Sequence, residues 1–158
     1  MGGDKEIPYL GLVKEENPFM GYRAVRYCLA NPEQYKIQLT AILRASAFGD
    51  IKIMVPMVTN IDELRSVKEL VEECKADLDA RGIAYNKDIE VGIMMETPAA
   101  AFIADDLASE AAFFSIGTND LTGYTMCADR GNDKVAYLYE TYQPAVLRAL
   151  KAIIEAGA

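Results

Sequence analysis

The sequence predicts an α/β fold of parallel strands joined by helices, and three observations carry that expectation. Residues 51–57, 90–96 and 112–117 are short, mostly apolar runs of strand length. Stretches with helical spacing separate them and are long enough to return the chain for parallel pairing through right-handed crossovers. Strand and helix alternate, with Pro, Gly and Asn at the junctions and no internal repeat, low-complexity tract or linker, which points to a single domain.

The first thirty residues hold Gly2, Gly3, Pro8, Gly11, Pro18 and Gly21, a density of breakers that reads as an irregular segment. Arg23 stands where this loop becomes a short helix over residues 24–29, stopped by Asn31 and Pro32. A second helix starts at Pro32 and runs through Leu39, Ile42 and Leu43 to a stop at Gly49. The first strand, 51–57, is apolar enough to be covered on both faces, with Pro56 at its end. Asn60 and Glu63 form a capping-box pattern, and Ile61, Leu64, Val67, Val71, Cys74 and Leu78 make the stripe of an outer crossover helix that ends before Gly82.

The strand 90–96 is followed by one helix over 98–108, opened by Pro98, and then by the third strand. A polar loop is expected from Gly117 to Asn132, with Asp133 capping a turn. The last helix, Pro144–Ala156, carries Val146, Leu147, Leu150, Ile153 and Ile154 at helical spacing before Gly157. Three parallel strands leave two open edges, and a closed eight-stranded barrel needs about 250 residues.

Composition narrows the function. At 158 residues, with 51% hydrophobic and 25% charged residues, the chain suits one globular domain with a real core. Sixteen basic against twenty-four acidic residues, a net charge of −8, leaves no basic stripe for nucleic acid. No apolar run reaches the roughly 20 residues of a membrane span, and the opening residues do not resemble a secretory signal, so a cytoplasmic setting is expected. The chain has no histidine, and Cys28, Cys74 and Cys127 are widely spaced, which excludes the usual zinc sites and histidine-based triads. Cys28 and Cys74 read as buried side chains, and Cys127 as a loop residue.

In parallel α/β folds ligands collect at the carboxyl ends of the strands, so the residues closing each run matter most. Here they are Glu96 and Asp120. If their strands are neighbours about 4.8 Å apart, the two carboxylates can share one magnesium ion. A general acid and base pair is the alternative, but the absence of histidine and the nearby arginines favour an anionic substrate held through a cation. Arg23 from the first loop and Arg130 from the last can close on the same rim, where guanidinium groups select phosphate or carboxylate. Lys5 is a weaker third cation, and Thr97 and Thr118 suit capping or loop orientation beside each acid.

The segments GGDKEIPYLG, NPFMGYRAVR, LRASAFG, IKIMVPM, GIMMETPAAA and FFSIGTNDLTGYTMCADRGN, in this order, closely resemble enzyme I of the bacterial phosphoenolpyruvate:sugar phosphotransferase system. GTND and DRGN are shared more loosely with pyruvate phosphate dikinase and phosphoenolpyruvate synthase. The resemblance implies a phosphoenolpyruvate-binding (β/α)8 TIM-type barrel, of which this chain is the central part with about three strands. It implies Glu96 and Asp120 as ligands of Mg2+, Asn119, Asp120 and Arg130 as phosphoenolpyruvate-binding residues, and Arg23 as a further contact to the same ligand.

The family's phosphoryl acceptor is a histidine in a separate domain, which also meets the phosphocarrier protein. Its proton-donating cysteine and two further arginines are likewise outside this sequence, so the chain alone is expected to be inactive. Two residues depart from the family pattern: Gly123, where glutamine is usual, and Cys127, where an apolar residue is usual. Rival readings are a magnesium-dependent barrel lyase and a non-catalytic folding or dimerisation module. The open strand edges point to a homodimer.

Overall fold

The computed structural model describes residues 15–158; the expectations at Gly2, Gly3, Lys5, Pro8 and Gly11 lie outside them. After a 3-10 turn at Pro18–Met20 come α1 (Ala24–Ala30), α2 (Pro32–Ala45), β1 (Ile53–Val55), α3 (Ile61–Ala80) and β2 (Val91–Met95). Then follow α4 (Pro98–Phe102), α5 (Ala104–Ala108), β3 (Phe114–Ile116), α6 (Thr118–Met126), a 3-10 turn at Ala136–Leu138 and α7 (Pro144–Ala156).

The three strands form one parallel sheet in the order β1-β2-β3, with Val55 beside Ile93 and Ile93 beside Phe114. Alternation along the strands gives the sheet two different faces. Ile53, Val55, Ile93 and Met95 are buried in the core with Leu39, Leu43 and the stripe of α3. Met54, on the opposite face of β1, is 39% exposed, so coverage of both faces is not met at this edge by the described residues. β1 and β3 each have one strand neighbour within the described sheet.

Helix α3 forms as its sequence dictates. Asn60 accepts a hydrogen bond from the Glu63 backbone N–H at 3.0 Å, and the Glu63 carboxylate accepts from the backbone N–H groups of Asn60 and Thr59, so three donors at the helix start are satisfied. Leu64, Val67, Val71, Cys74 and Leu78 are all buried on one face.

Elsewhere the structure corrects the reading. The helix expected over 98–108 is two helices, broken at Ile103, whose backbone (φ −115°, ψ 28°) leaves helical geometry. The expected polar loop begins instead as α6, a nine-residue helix closed by Cys127 in the left-handed conformation. Its residues Thr118, Gly123 and Thr125 are poor helix formers, and burial of Leu121 and Thr122 supplies what propensity does not. On α7 only Val146 and Ile153 are buried, while Leu147 and Ile154 are exposed. Among the described residues no helix is long and apolar enough to cross a membrane.

Candidate functional site

Glu96 and Thr97 follow β2 directly, and both are buried at 5% exposure. The chain leaves β1 through Met57, whose φ of +61° is uncommon for a residue with a side chain and costs about 1–3 kcal/mol. Its backbone N–H donates to Glu96 Oε1 at 2.7 Å. The Thr97 hydroxyl donates to the Val58 carbonyl at 2.8 Å and accepts from the Ala100 N–H at 3.1 Å, capping α4. The ends of β1 and β2 are thereby stitched together, and Glu96 is held by one oxygen. Burial pushes its carboxyl above the usual carboxylate range, the Met57 bond opposes this, the Asp120 charge raises it further and Arg23 lowers it.

The neighbouring strand β3 delivers the second carboxylate. Gly117 ends it, Thr118 opens α6, and Asp120 lies in the first turn of that helix, where the dipole favours negative charge. Thr118 is therefore a helix residue and not a cap, whereas Thr97 is the cap that the sequence suggests. Gly117 is required by close approach: a Cβ there would stand 2.7 Å from Glu96 Oε2 and 2.8 Å from Glu96 Cβ. The backbone carbonyl of Asn119 accepts from the Tyr139 hydroxyl at 2.8 Å, which ties the start of α6 to the returning chain.

Arg23, at the entry to α1, reaches across to this helix. Its Nη2 lies 3.3 Å from Asp120 Oδ2, with side chains only 15% and 18% exposed. Its Nη1 donates to the Tyr124 hydroxyl at 3.2 Å and to the Phe19 carbonyl at 3.4 Å. Its Nε is buried with no hydrogen-bond partner among the described residues. Tyr124 donates to the Phe19 carbonyl and also approaches Met57 Sδ at 3.7 Å. The guanidinium groups of Arg23 and Arg130 lie 5.5 and 5.7 Å from the centre of the Phe19 ring.

A cavity of about 390 Å3 opens between the Pro18–Met20 turn and α6, lined among others by Phe19, Asn119, Asp120, Tyr124, Arg130 and Tyr139. Asn119, Asp120 and Arg130 thus face one space. Arg23 adjoins it through Asp120, and Glu96 sits behind Gly117. Gly123 also lines the cavity, and a Cβ there would meet the Ala128 carbonyl at 3.4 Å and the Tyr139 ring at 3.5 Å. A wider groove of about 790 Å3 lies at the opposite ends of the strands, beside α3, and holds none of these residues.

No group of three or more Asp, Glu, Cys or His side chains is assembled for a metal among the described residues. The donor set on offer is two carboxylates, which suits magnesium, a cation that binds one or two carboxylates and completes its octahedron with water and substrate oxygens. Tyr124, Phe19 and Met57 were not legible as site residues. Tyr124 is four residues beyond Asp120 and shares its helix face, a signal that exists only once α6 is recognised as a helix.

Residues 1–158 match the family described as PEP-utilising enzyme, PEP-binding domain. Three similar proteins are the phosphoenolpyruvate-protein phosphotransferases of Staphylococcus carnosus (strain TM300), Bacillus subtilis (strain 168) and Priestia megaterium. They are 56%, 54% and 53% identical to the chain over 157 residues, 99% of its length. The chain spans 27% of the Staphylococcus and Priestia proteins and 28% of the Bacillus protein.

Proposed function

The chain belongs to the PEP-utilising enzymes, and from that membership we propose that it forms the phosphoenolpyruvate-binding part of a phosphoenolpyruvate-protein phosphotransferase. The observation that carries this reading is the convergence of two carboxylates and two arginines at the carboxyl ends of neighbouring strands. In this reading β1, β2 and β3 are consecutive strands of a (β/α)8 barrel, whose sites lie at that end.

Glu96 and Asp120 would hold Mg2+, which when bound supplies positive charge to the phosphate and carboxylate oxygens of the substrate. Arg130 and Arg23 present guanidinium donors to the phosphoryl and carboxylate oxygens, and Asn119 orients the ligand in the cavity. These residues position the P–O bond and offset charge on the transferring group. The bond breaks as a histidine nitrogen outside this chain takes the phosphoryl group. The enolate left behind takes a proton from an acid that is also outside it, giving pyruvate. The phosphocarrier protein is then the onward acceptor, and the setting is cytoplasmic.

Replacing the matching segment of the Bacillus subtilis relative with this chain tests the proposal. The chimera should pass phosphate from phosphoenolpyruvate to protein histidine, and Arg130→Ala in the chimera should lower kcat/KM by about 30-fold or more, as for loss of a charged partner worth 2–5 kcal/mol. A folded chimera without phosphotransfer would contradict it.

Among the described residues β1 and β3 each have an unpaired edge and Met54 an exposed face, and a second copy about a two-fold axis is the simplest cover for them. The chain should sediment as a dimer at micromolar concentration, burying more than about 1,000 Å2. A monomer with cooperative unfolding would show that the chain satisfies its own edges.

A further inference from the structure

We infer that Arg23 is a counter-ion latch on the Glu96 and Asp120 pair: its guanidinium holds the Asp120 carboxylate until an anion draws it away, so that a divalent cation and an anion bind this chain cooperatively. The inference rests on the proposed metal and phosphoenolpyruvate site and goes beyond it, because it concerns the order and coupling of the two ligands.

Asp120 is partnered by Arg23 Nη2 at 3.3 Å, in a setting where both side chains are largely buried. A contact so withdrawn from solvent is screened less than a surface ion pair. Glu96 offers one fixed oxygen and one facing Gly117: Oε1 is held by the Met57 N–H, and Oε2 stands where a Gly117 side chain would be. A cation shared by Asp120 and Glu96 must therefore enter beside a guanidinium that already uses one of the two carboxylates. Like charges at that range repel strongly.

The guanidinium is built to change partners. Nη1 is anchored by the Phe19 carbonyl and the Tyr124 hydroxyl, partners separate from Asp120. Nη2 holds Asp120, and Nε is buried with its donor unspent among the described residues. A phosphate or carboxylate that meets Nε and Nη2 together makes the two-pronged contact that guanidinium favours. It satisfies the orphaned donor and takes Nη2 from Asp120 while the Nη1 anchors stay in place. Asp120 is then released to the cation. By linkage, the cation raises the affinity for the anion by the same factor as the anion raises that for the cation.

The test is Mn2+ binding to the full chain, read from the electron paramagnetic resonance of free Mn2+, for the parent and for Arg23→Gln, Arg26→Gln and Asp120→Asn. Arg26 is the charge control, because its Nη1 is turned to the Met20 and Gly21 carbonyls. Arg23→Gln should bind Mn2+ alone about tenfold more tightly than the parent, since the competing cation is gone. Arg26→Gln should bind it like the parent. Phosphoenolpyruvate should tighten Mn2+ binding in the parent by a larger factor than in Arg23→Gln, where only the direct attraction between the cation and the substrate oxygens is left, and equal factors overturn the latch.

An unchanged or weaker Mn2+ affinity in Arg23→Gln overturns the latch, and so does an equal gain in Arg26→Gln, which would reveal a general charge effect. Asp120→Asn separates this from the site itself. If it binds Mn2+ as well as the parent does, the metal reading fails. If it alone loses binding while Arg23→Gln is unchanged, only the latch fails. Should Arg23→Gln not fold, the side-chain 15N signals of Arg23 in the parent decide: saturation with Mg2+ must shift them, and unmoved signals overturn the proposal.

Discussion

The chain on its own is expected to release no pyruvate from phosphoenolpyruvate, with or without magnesium and a phosphocarrier protein. It contains no histidine, so no imidazole is present to take the phosphoryl group. In the proposed mechanism the Glu96, Asp120, Arg23 and Arg130 cluster contributes positioning and charge neutralisation, and neither replaces a nucleophile. The enolate also needs an acid. Cys127 is exposed beyond the end of α6, and Cys28 and Cys74 are packed into or against the core, with burial pushing the Cys28 thiol up. A coupled assay for pyruvate reads the result directly. Formation above the uncatalysed blank would mean that the chain holds an acceptor and an acid which the proposed mechanism places elsewhere.

Gly117→Ala should cost the chain its cation affinity, by about 10–100-fold, the range seen when groups that orient metal ligands are disturbed. The added methyl would stand 2.7 Å from Glu96 Oε2 and 2.9 Å from Met94 Sδ. Glu96 has little room to yield, because its other oxygen is bound to the Met57 N–H and the next residue, Thr97, is tied to the Val58 carbonyl. Overpacking of this kind also lowers stability by about 1–3 kcal/mol. Gly49→Ala is the control, since nothing lies within 4 Å of a Cβ there. Titration of both variants with Mn2+ checks the expectation, and parent-like affinity in a folded Gly117→Ala protein would show that Glu96 does not need its present position.

The strands and the crossover helix α3 were legible because burial itself writes the pattern. Ile53, Val55, Ile93 and Met95 must be apolar to lie under the helices, and the Asn60 and Glu63 pair is a local device that needs no tertiary information. Glu96 and Asp120 were singled out for a related reason, as the acids beyond two apolar runs where ligands of parallel strands collect, and the structure places Glu96 directly after β2 and Asp120 in the first turn of α6.

What was missed depends on contacts distant in sequence. α6 is a helix because Leu121 and Thr122 are buried, against the propensity of its own glycine and threonines. The left-handed Met57 is fixed by a hydrogen bond to a residue thirty-nine positions away, and the role of Tyr124 depends on Phe19 and Arg23 arriving from the other end of the chain. Exposure of Leu147 and Ile154 on α7 has the same origin: spacing identifies an apolar stripe, and the neighbours decide how much of it is covered.

The central claim is that Glu96 and Asp120 share one divalent cation beside the arginines. The most direct measurement is the anomalous scattering of Mn2+ in crystals of the chain grown with Mn2+ and phosphoenolpyruvate. The account predicts a single strong peak at the carboxyl ends of β2 and β3, about 2.1 Å from a carboxylate oxygen of one residue and bound to the other directly or through one water. A peak elsewhere, or none between these carboxylates at saturating Mn2+, would contradict it.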